Sequence, residues 1–137
     1  MYERSYIFFI AQIIQNRIGK TMEYNFEITE GKLKVSVPRE LDHHCAIQLK
    51  EEADLLIDAY HVKSLIFDFS HTEFMDSSGI GVLIGRSRNL AFAGGKVMAA
   101  NLSPRVEQIF RLSGLHQIIT VLPKEGEENE ESHDGIF

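Results

Sequence analysis

A chain of 137 residues with 44% hydrophobic side chains is long enough for one domain with a buried core. Its net charge of −6 sits mostly at one end: from Lys124 onward there are six acidic residues against one lysine, the rest is nearly neutral, and no Lys/Arg-rich run offers the cationic footprint that a nucleic acid requires. The single cysteine, Cys45, excludes an internal disulfide and suits a reducing cytoplasm.

Residues 1–21 are rich in Ile and Phe and stand apart from the rest of the chain. Ile7, Ile10, Ile14 and Ile18 are helix-spaced, which allows a docking or membrane-surface helix; the alternatives are an extension outside the core, or translation from a start upstream of a natural one at Met22. Gln12 interrupts the apolar run from Tyr6 to Ile14, no small-x-small cleavage site comes after it, and the run is shorter than the ~20 residues that span a bilayer, so no membrane span is expected. Gly19-Lys20-Thr21 ends like a phosphate-binding loop, but Ile14 stands where that loop needs a glycine.

From Met22 the pattern turns regular. Tyr24, Phe26 and Ile28, then Leu33, Val35 and Val37, alternate with polar neighbours across Glu30-Gly31, which predicts a β-hairpin with one buried face. Asp42 is placed to cap a helix running to about Ala59 with Ala46, Leu49, Ala53 and Leu56 as its apolar stripe. The nearly continuous apolar run Val62 to Phe69 reads as a central strand covered on both faces. A second helix is expected from about Ser77 to Phe92, ended by Gly94-Gly95, and Lys96 to Ala100 reads as another strand. Ser103-Pro104 opens a third helix that Gly114 closes, and His116 to Leu122 supplies a last strand. Strands alternating with helices after a hairpin predict an α/β fold with a mixed sheet, parallel in its later part. The acidic tail 124–137 has too little apolar surface to offset its ordering entropy and is expected to be disordered.

The segment Phe74-Met75-Asp76-Ser77-Ser78-Gly79-Ile80-Gly81 carries the most information, because it sets two hydroxyls beside a carboxylate where a strand hands over to a helix. Either Asp76 or Ser77 can be the N-cap. Ile80, Leu83, Ile84, Ser87, Leu90 and Ala91 share one helical face that can pack on the sheet, while Ser77, Gly81, Gly85 and Arg88 fall on another. A glycine inside a helix costs about 1 kcal/mol relative to alanine, so Gly81 and Gly85 call for close approach by another backbone, either a neighbouring helix or a partner protein. A phosphate on Ser77 adds roughly −1.5 to −2 charges that the helix N-terminus partly accommodates. It would block a partner on the glycine face without unfolding the domain.

Other chemistries fit poorly. A Ser77 nucleophile with His43 or His44 as base lacks the Gly-x-Ser-x-Gly elbow, so the chain is not expected to be an enzyme. Gly79, Gly81 and Gly85 do not complete a dinucleotide fingerprint because Ile84 occupies a glycine position, so no cofactor is expected. His43, His44 and Cys45 are consecutive and point in different directions at a helix start, which suits solvent-facing or capping roles better than a metal site. His61 and His71 are isolated and read as surface residues.

Three blocks in order, Glu40-Leu41-Asp42-His43-His44, Phe74 through Arg86, and Ser103-Pro104-Arg105-Val106 through Leu112-Ser113-Gly114-Leu115, make the chain from about Met22 to Leu122 resemble a STAS domain of the bacterial anti-sigma factor antagonists, sporulation type. Pro38-Arg39 stand where members usually carry a glycine. The resemblance implies a STAS domain over residues 22–123, with a mixed sheet, an N-terminal hairpin and helices packed on one side. It also implies that Ser77 is phosphorylated by an anti-sigma factor that is itself a serine kinase, that the unphosphorylated form binds this kinase and frees the sigma factor, and that a serine phosphatase resets the switch. Asp42, Ser78 and Gly79 are then partner contacts beside Asp76, Gly81, Gly85 and Arg88, and the sigma factor is affected only indirectly. The alternative is a STAS module of a stress-response or other partner-switching circuit.

Overall fold

A computed structural model describes residues 26–124 of the chain. The N-terminal segment and the acidic tail beyond Lys124, each with its own expectation, lie outside the described residues. Strands β1 (Phe26–Thr29) and β2 (Lys32–Ser36) form the expected hairpin, with Thr29 paired to Lys32. Its two-residue loop puts both Glu30 (φ 46°) and Gly31 (φ 81°) in the left-handed region, the twist that joins two strands most tightly. Then come β3 (Glu40–Leu41), helix α1 (His43–Tyr60), β4 (Ser64–Asp68), β5 (Phe74–Met75), α2 (Ser77–Phe92), β6 (Lys96–Ala100), α3 (Pro104–Ser113), a 3₁₀ turn (Leu115–Gln117) and β7 (Thr120–Val121).

The main sheet has the order β1-β2-β4-β6-β7, antiparallel only at the hairpin and parallel elsewhere. Its register aligns Leu33, Leu65 and Val97 in one row and Val35, Phe67 and Ala99 in the next, and all six are buried. Against this face pack Leu49 and Leu56 of α1, Leu83 and Leu90 of α2, and Phe110 of α3, whose ring meets Phe69 edge-on at 5.5 Å. The opposite row, Lys34, Ile66 and Met98, is only half-buried, so β4 is central in the sheet but is not covered on both faces as its apolar run suggested. Among the described residues, no helix is long and apolar enough to cross a membrane.

Two further expectations change. The last strand shrinks from His116–Leu122 to Thr120–Val121, because Gly114 (φ 83°) ends α3 and the carbonyls of Gly114 and Leu115 then accept from Gln117, Ile118 and Ile119, winding one more turn. The buried face of α2 is also rotated from the expected one: Val82 and Arg86 are buried with Leu83, Ser87 and Leu90, while Ala91 is exposed.

A second, two-stranded parallel sheet pairs Glu40 with Phe74 and Leu41 with Met75. A strand before Asp76 was expected, but β3 and its pairing with that strand were not, since pairs this short carry no readable periodicity. They bring the first turn of α2 onto β3 so closely that a Cβ on Gly79 would sit 2.6 Å from the Leu41 carbonyl oxygen, whereas one on Gly81 or Gly85 would meet nothing within 4 Å. Glycine at 79 is therefore a packing requirement; at 81 and 85 it leaves the helix surface open.

At the C-terminal ends of β4 and β6, Asp68 Oδ1 accepts from the Ser70 backbone N–H at 3.0 Å and from Asn101 Nδ2 at 2.9 Å, and Lys34 Nζ lies 3.7 Å from Oδ2. Burial works against the Asp68 charge, but the hydrogen bonds from Asn101 and Ser70, with the Lys34 charge, more than offset it and hold the carboxyl below the usual carboxylate range. A depressed folded-state pKa stabilises the fold above the unfolded value of about 3.9, and that contribution is lost as pH falls through the folded value. Asp68→Asn is expected to lower the melting temperature at pH 7 by a few degrees and to flatten its decline on acidification; melts from pH 7 down to about pH 2 read both effects. In urea unfolding at neutral pH, Gly79→Ala is expected to cost about 1–3 kcal/mol, whereas Gly81→Ala should be neutral or stabilising by up to about 1 kcal/mol.

Candidate functional site

Asp42 and Asp76 each come directly after the last residue of a two-residue strand, and those residues, Leu41 and Met75, are paired in register. Both aspartates are extended (φ −90°, ψ −176° and φ −99°, ψ −173°) and both cap the next helix. Asp42 Oδ1 accepts from the Cys45 N–H at 2.9 Å; Asp76 Oδ1 accepts from the N–H groups of Ser78 at 2.9 Å and Gly79 at 3.1 Å. The Cys45 N–H, outweighing a small cost of burial, holds the Asp42 carboxyl below its ordinary range. The choice of cap for α2 is thus settled in favour of Asp76. The heads of α1 and α2 emerge side by side, tied by the Asp76 N–H donating to the Leu41 carbonyl at 3.3 Å.

This arrangement decides what each serine can do. Ser77 is the first helical residue, its side chain is exposed, and among the described residues its hydroxyl makes no hydrogen bond. Ser78 is half-buried between the two helices, with Oγ 3.1 Å from His43 Nδ1. Two helix N-termini converge here, so partial positive charge from both is available to an anion on Ser77.

Below the heads, a shallow cavity of about 330 Å³ runs between α1 and α2, lined among others by His43, Ile47, Lys50, Gly81, Gly85 and Arg86. Ile47 is 44% exposed, an apolar contact offered to solvent beside the open glycines. Arg86 is buried, and its Nε approaches Asp54 Oδ1 at 2.9 Å with the carboxylate off the N–H axis, so an ion pair rather than a hydrogen bond pins α2 to α1 under the groove.

Of the residues expected at the site, Asp42, Asp76, Ser77, Ser78 and Gly79 cluster at the helix heads, and Gly81 and Gly85 continue down the groove. Gly79 is buried and presents no surface of its own. Arg88 is not part of this group: about 16 Å along the helix from Ser77 at ~1.5 Å per residue, it lines a different cavity of about 840 Å³ with Asp58, His61 and Phe92. The groove residues His43, Ile47, Lys50 and Arg86 were not among those expected. The spacing of the first three, i, i+4 and i+7, places them on one stripe of α1 beside its buried one, a signal present in the sequence. The ring of His43, read as solvent-facing or capping, is exposed but bonded to the serine motif. Among the described residues, no three His, Cys, Asp or Glu side chains are placed to hold a metal ion.

Residues 23–128 match the model of the STAS domain. An anti-sigma F factor antagonist of Lysinibacillus sphaericus is 33% identical over 95 residues, covering 69% of this chain and 81% of the relative. An anti-sigma-B factor antagonist of Listeria monocytogenes is 31% identical over 114 residues, covering 79% and 96% respectively. Among solved structures, the anti-sigma factor antagonist SpoIIAA in its unphosphorylated form superposes with a TM-score of 0.65 at 29% identity, covering 83% of this chain and 97% of SpoIIAA; its phosphorylated form gives 0.60 at 30% identity, covering 83% and 99%. The chain belongs to the STAS domain family and groups there with the anti-sigma factor antagonists, regulatory binding proteins rather than enzymes.

Proposed function

We propose that this protein antagonises an anti-sigma factor that is also a serine kinase, and that phosphorylation of Ser77 ends the interaction. The observation that carries the reading is the placement of Ser77 at the head of α2, its hydroxyl exposed and without a hydrogen bond among the described residues, directly above a groove with open space over Gly81 and Gly85. A helix of the partner can approach the α2 backbone closely at these glycines, with Ile47 as an apolar contact and Lys50 at the rim. Asp42, Asp76 and Ser78 frame the head of the same surface. Arg88, at the far end of α2, belongs to the contact only if the partner spans the whole helix.

A phosphate on Ser77 meets the N-terminal dipoles of two helices and leaves the cap untouched, because Asp76 Oδ1 already accepts from the N–H groups of Ser78 and Gly79. It also brings a hydrated dianion to the mouth of the groove, next to the Asp76 carboxylate. The partner is therefore repelled while the domain stays folded. A serine phosphatase restores the binding form, and the sigma factor responds only through the anti-sigma factor. The relatives named for both sigma F and sigma B make a general stress circuit the second reading beside a sporulation circuit.

Incubation with the anti-sigma factor kinase and ATP is expected to add one phosphate, located on Ser77 by fragmentation mass spectrometry; phosphate elsewhere, or none, refutes the assignment. Ser77→Asp and Ser77→Ala should have matching circular dichroism and melting temperatures within a few degrees, while Ser77→Asp binds the anti-sigma factor at least ~10-fold more weakly by calorimetry. Gly81→Leu should likewise fold and lose binding; unchanged affinity would move the interface off this groove.

A further inference from the structure

We propose that His43 selects Ser77 over Ser78 as the phosphoryl acceptor, by holding the Ser78 hydroxyl in the cleft between α1 and α2. The proposal rests on the switch at Ser77 set out above. Two adjacent serines of the same chemistry open α2, so something other than the side chain's identity must distinguish them. The visible difference is engagement: Ser78 Oγ lies 3.1 Å from His43 Nδ1 and its backbone N–H donates to Asp76 Oδ1, whereas Ser77 is exposed and its hydroxyl makes no hydrogen bond among the described residues.

In the transfer step, the serine Oγ bonds to the γ-phosphorus of ATP while that phosphorus loses its bond to the β,γ-bridging oxygen. ADP leaves, and the hydroxyl proton passes to a base on the kinase. The attacking oxygen must stand in line with the departing one and approach the phosphorus without obstruction. Ser77 can be presented in this way as it stands. Ser78 must first give up its bond to His43 and swing out of a half-buried position. The contact also depends on the twin caps: His43 and Ser77 are the first residues of their helices, and the pairing of Leu41 with Met75 sets the two heads close enough for His43 to reach across to the second residue of α2. His43 is thus a positioning residue; it takes no part in the chemistry.

The test compares wild type, His43→Ala and His43→Asn, each incubated with the anti-sigma factor kinase and ATP, with the phosphate assigned to Ser77 or Ser78 by fragmentation mass spectrometry. His43→Ala is expected to raise the share of phosphate on Ser78 by about 2- to 10-fold, the effect of losing one hydrogen bond, with circular dichroism unchanged. His43→Asn, which keeps a hydrogen-bonding atom near the position of Nδ1, should restore the wild-type distribution. In a Ser77→Ala background, adding His43→Ala should speed phosphorylation of Ser78. An identical distribution in wild type and His43→Ala overturns the proposal while leaving the Ser77 switch intact; wild type without phosphate on either serine overturns the switch itself. A kinase-free measurement reads the contact directly: the ¹⁵N shifts of the His43 ring should move in Ser78→Ala and not in Ser77→Ala. No movement in either variant also overturns the proposal.

Discussion

Two paired residues, Leu41 on β3 and Met75 on β5, organise the working end of this domain. Each leads at once into an aspartate that caps a helix, so register in a sheet of only two short strands is passed on to α1 and α2. The near-contact of Gly79 with the Leu41 carbonyl holds the arrangement from the other side, since a larger residue would push the head of α2 away from β3. The two helices then start level with one another, and their dipoles add at one place instead of acting at two.

Beneath the heads, the polar ties between α1 and α2 sit at separate levels. At the top, the His43–Ser78 contact is exposed and weak, as befits a bond that opens to solvent. Lower down, buried Arg86 meets the partly exposed Asp54 of α1, and removing Asp54 would strand the Arg86 charge in the interior. The lower tie restrains α1 against α2 beneath the groove, which would reduce the entropy lost on the proposed docking of a partner.

Much of this was legible in the sequence. The three helices, the hairpin and the parallel order of the sheet arise from periodicity and from caps such as Asp42, Ser103-Pro104 and Gly114, all of which act locally. The strand leading into Asp76 was legible, but β3 and its pairing with β5 were not, because a two-residue strand has no pattern and the pairing is a tertiary fact. The rotation of the buried face of α2 was hidden for a related reason: Arg86 reads as a solvent residue until Asp54 of another helix is placed beside it. Ile47 sits outside the buried stripe of α1, a sign of an apolar surface with work to do, yet it takes the neighbouring glycines of α2 to make that surface a groove.

The cap on α2 is borne by the aspartate before the serine, through a single carboxylate oxygen serving two N–H groups. The residue at 77 is consequently a passenger in folding, and whatever is attached to it neither strengthens nor weakens the helix start by way of its own hydroxyl. Such a position can pass through many cycles of modification without raising the population of open chains that proteases degrade. For the switch proposed at Ser77, the lifetime of the protein and its phosphorylation state would then be set independently, so that one could change without disturbing the other.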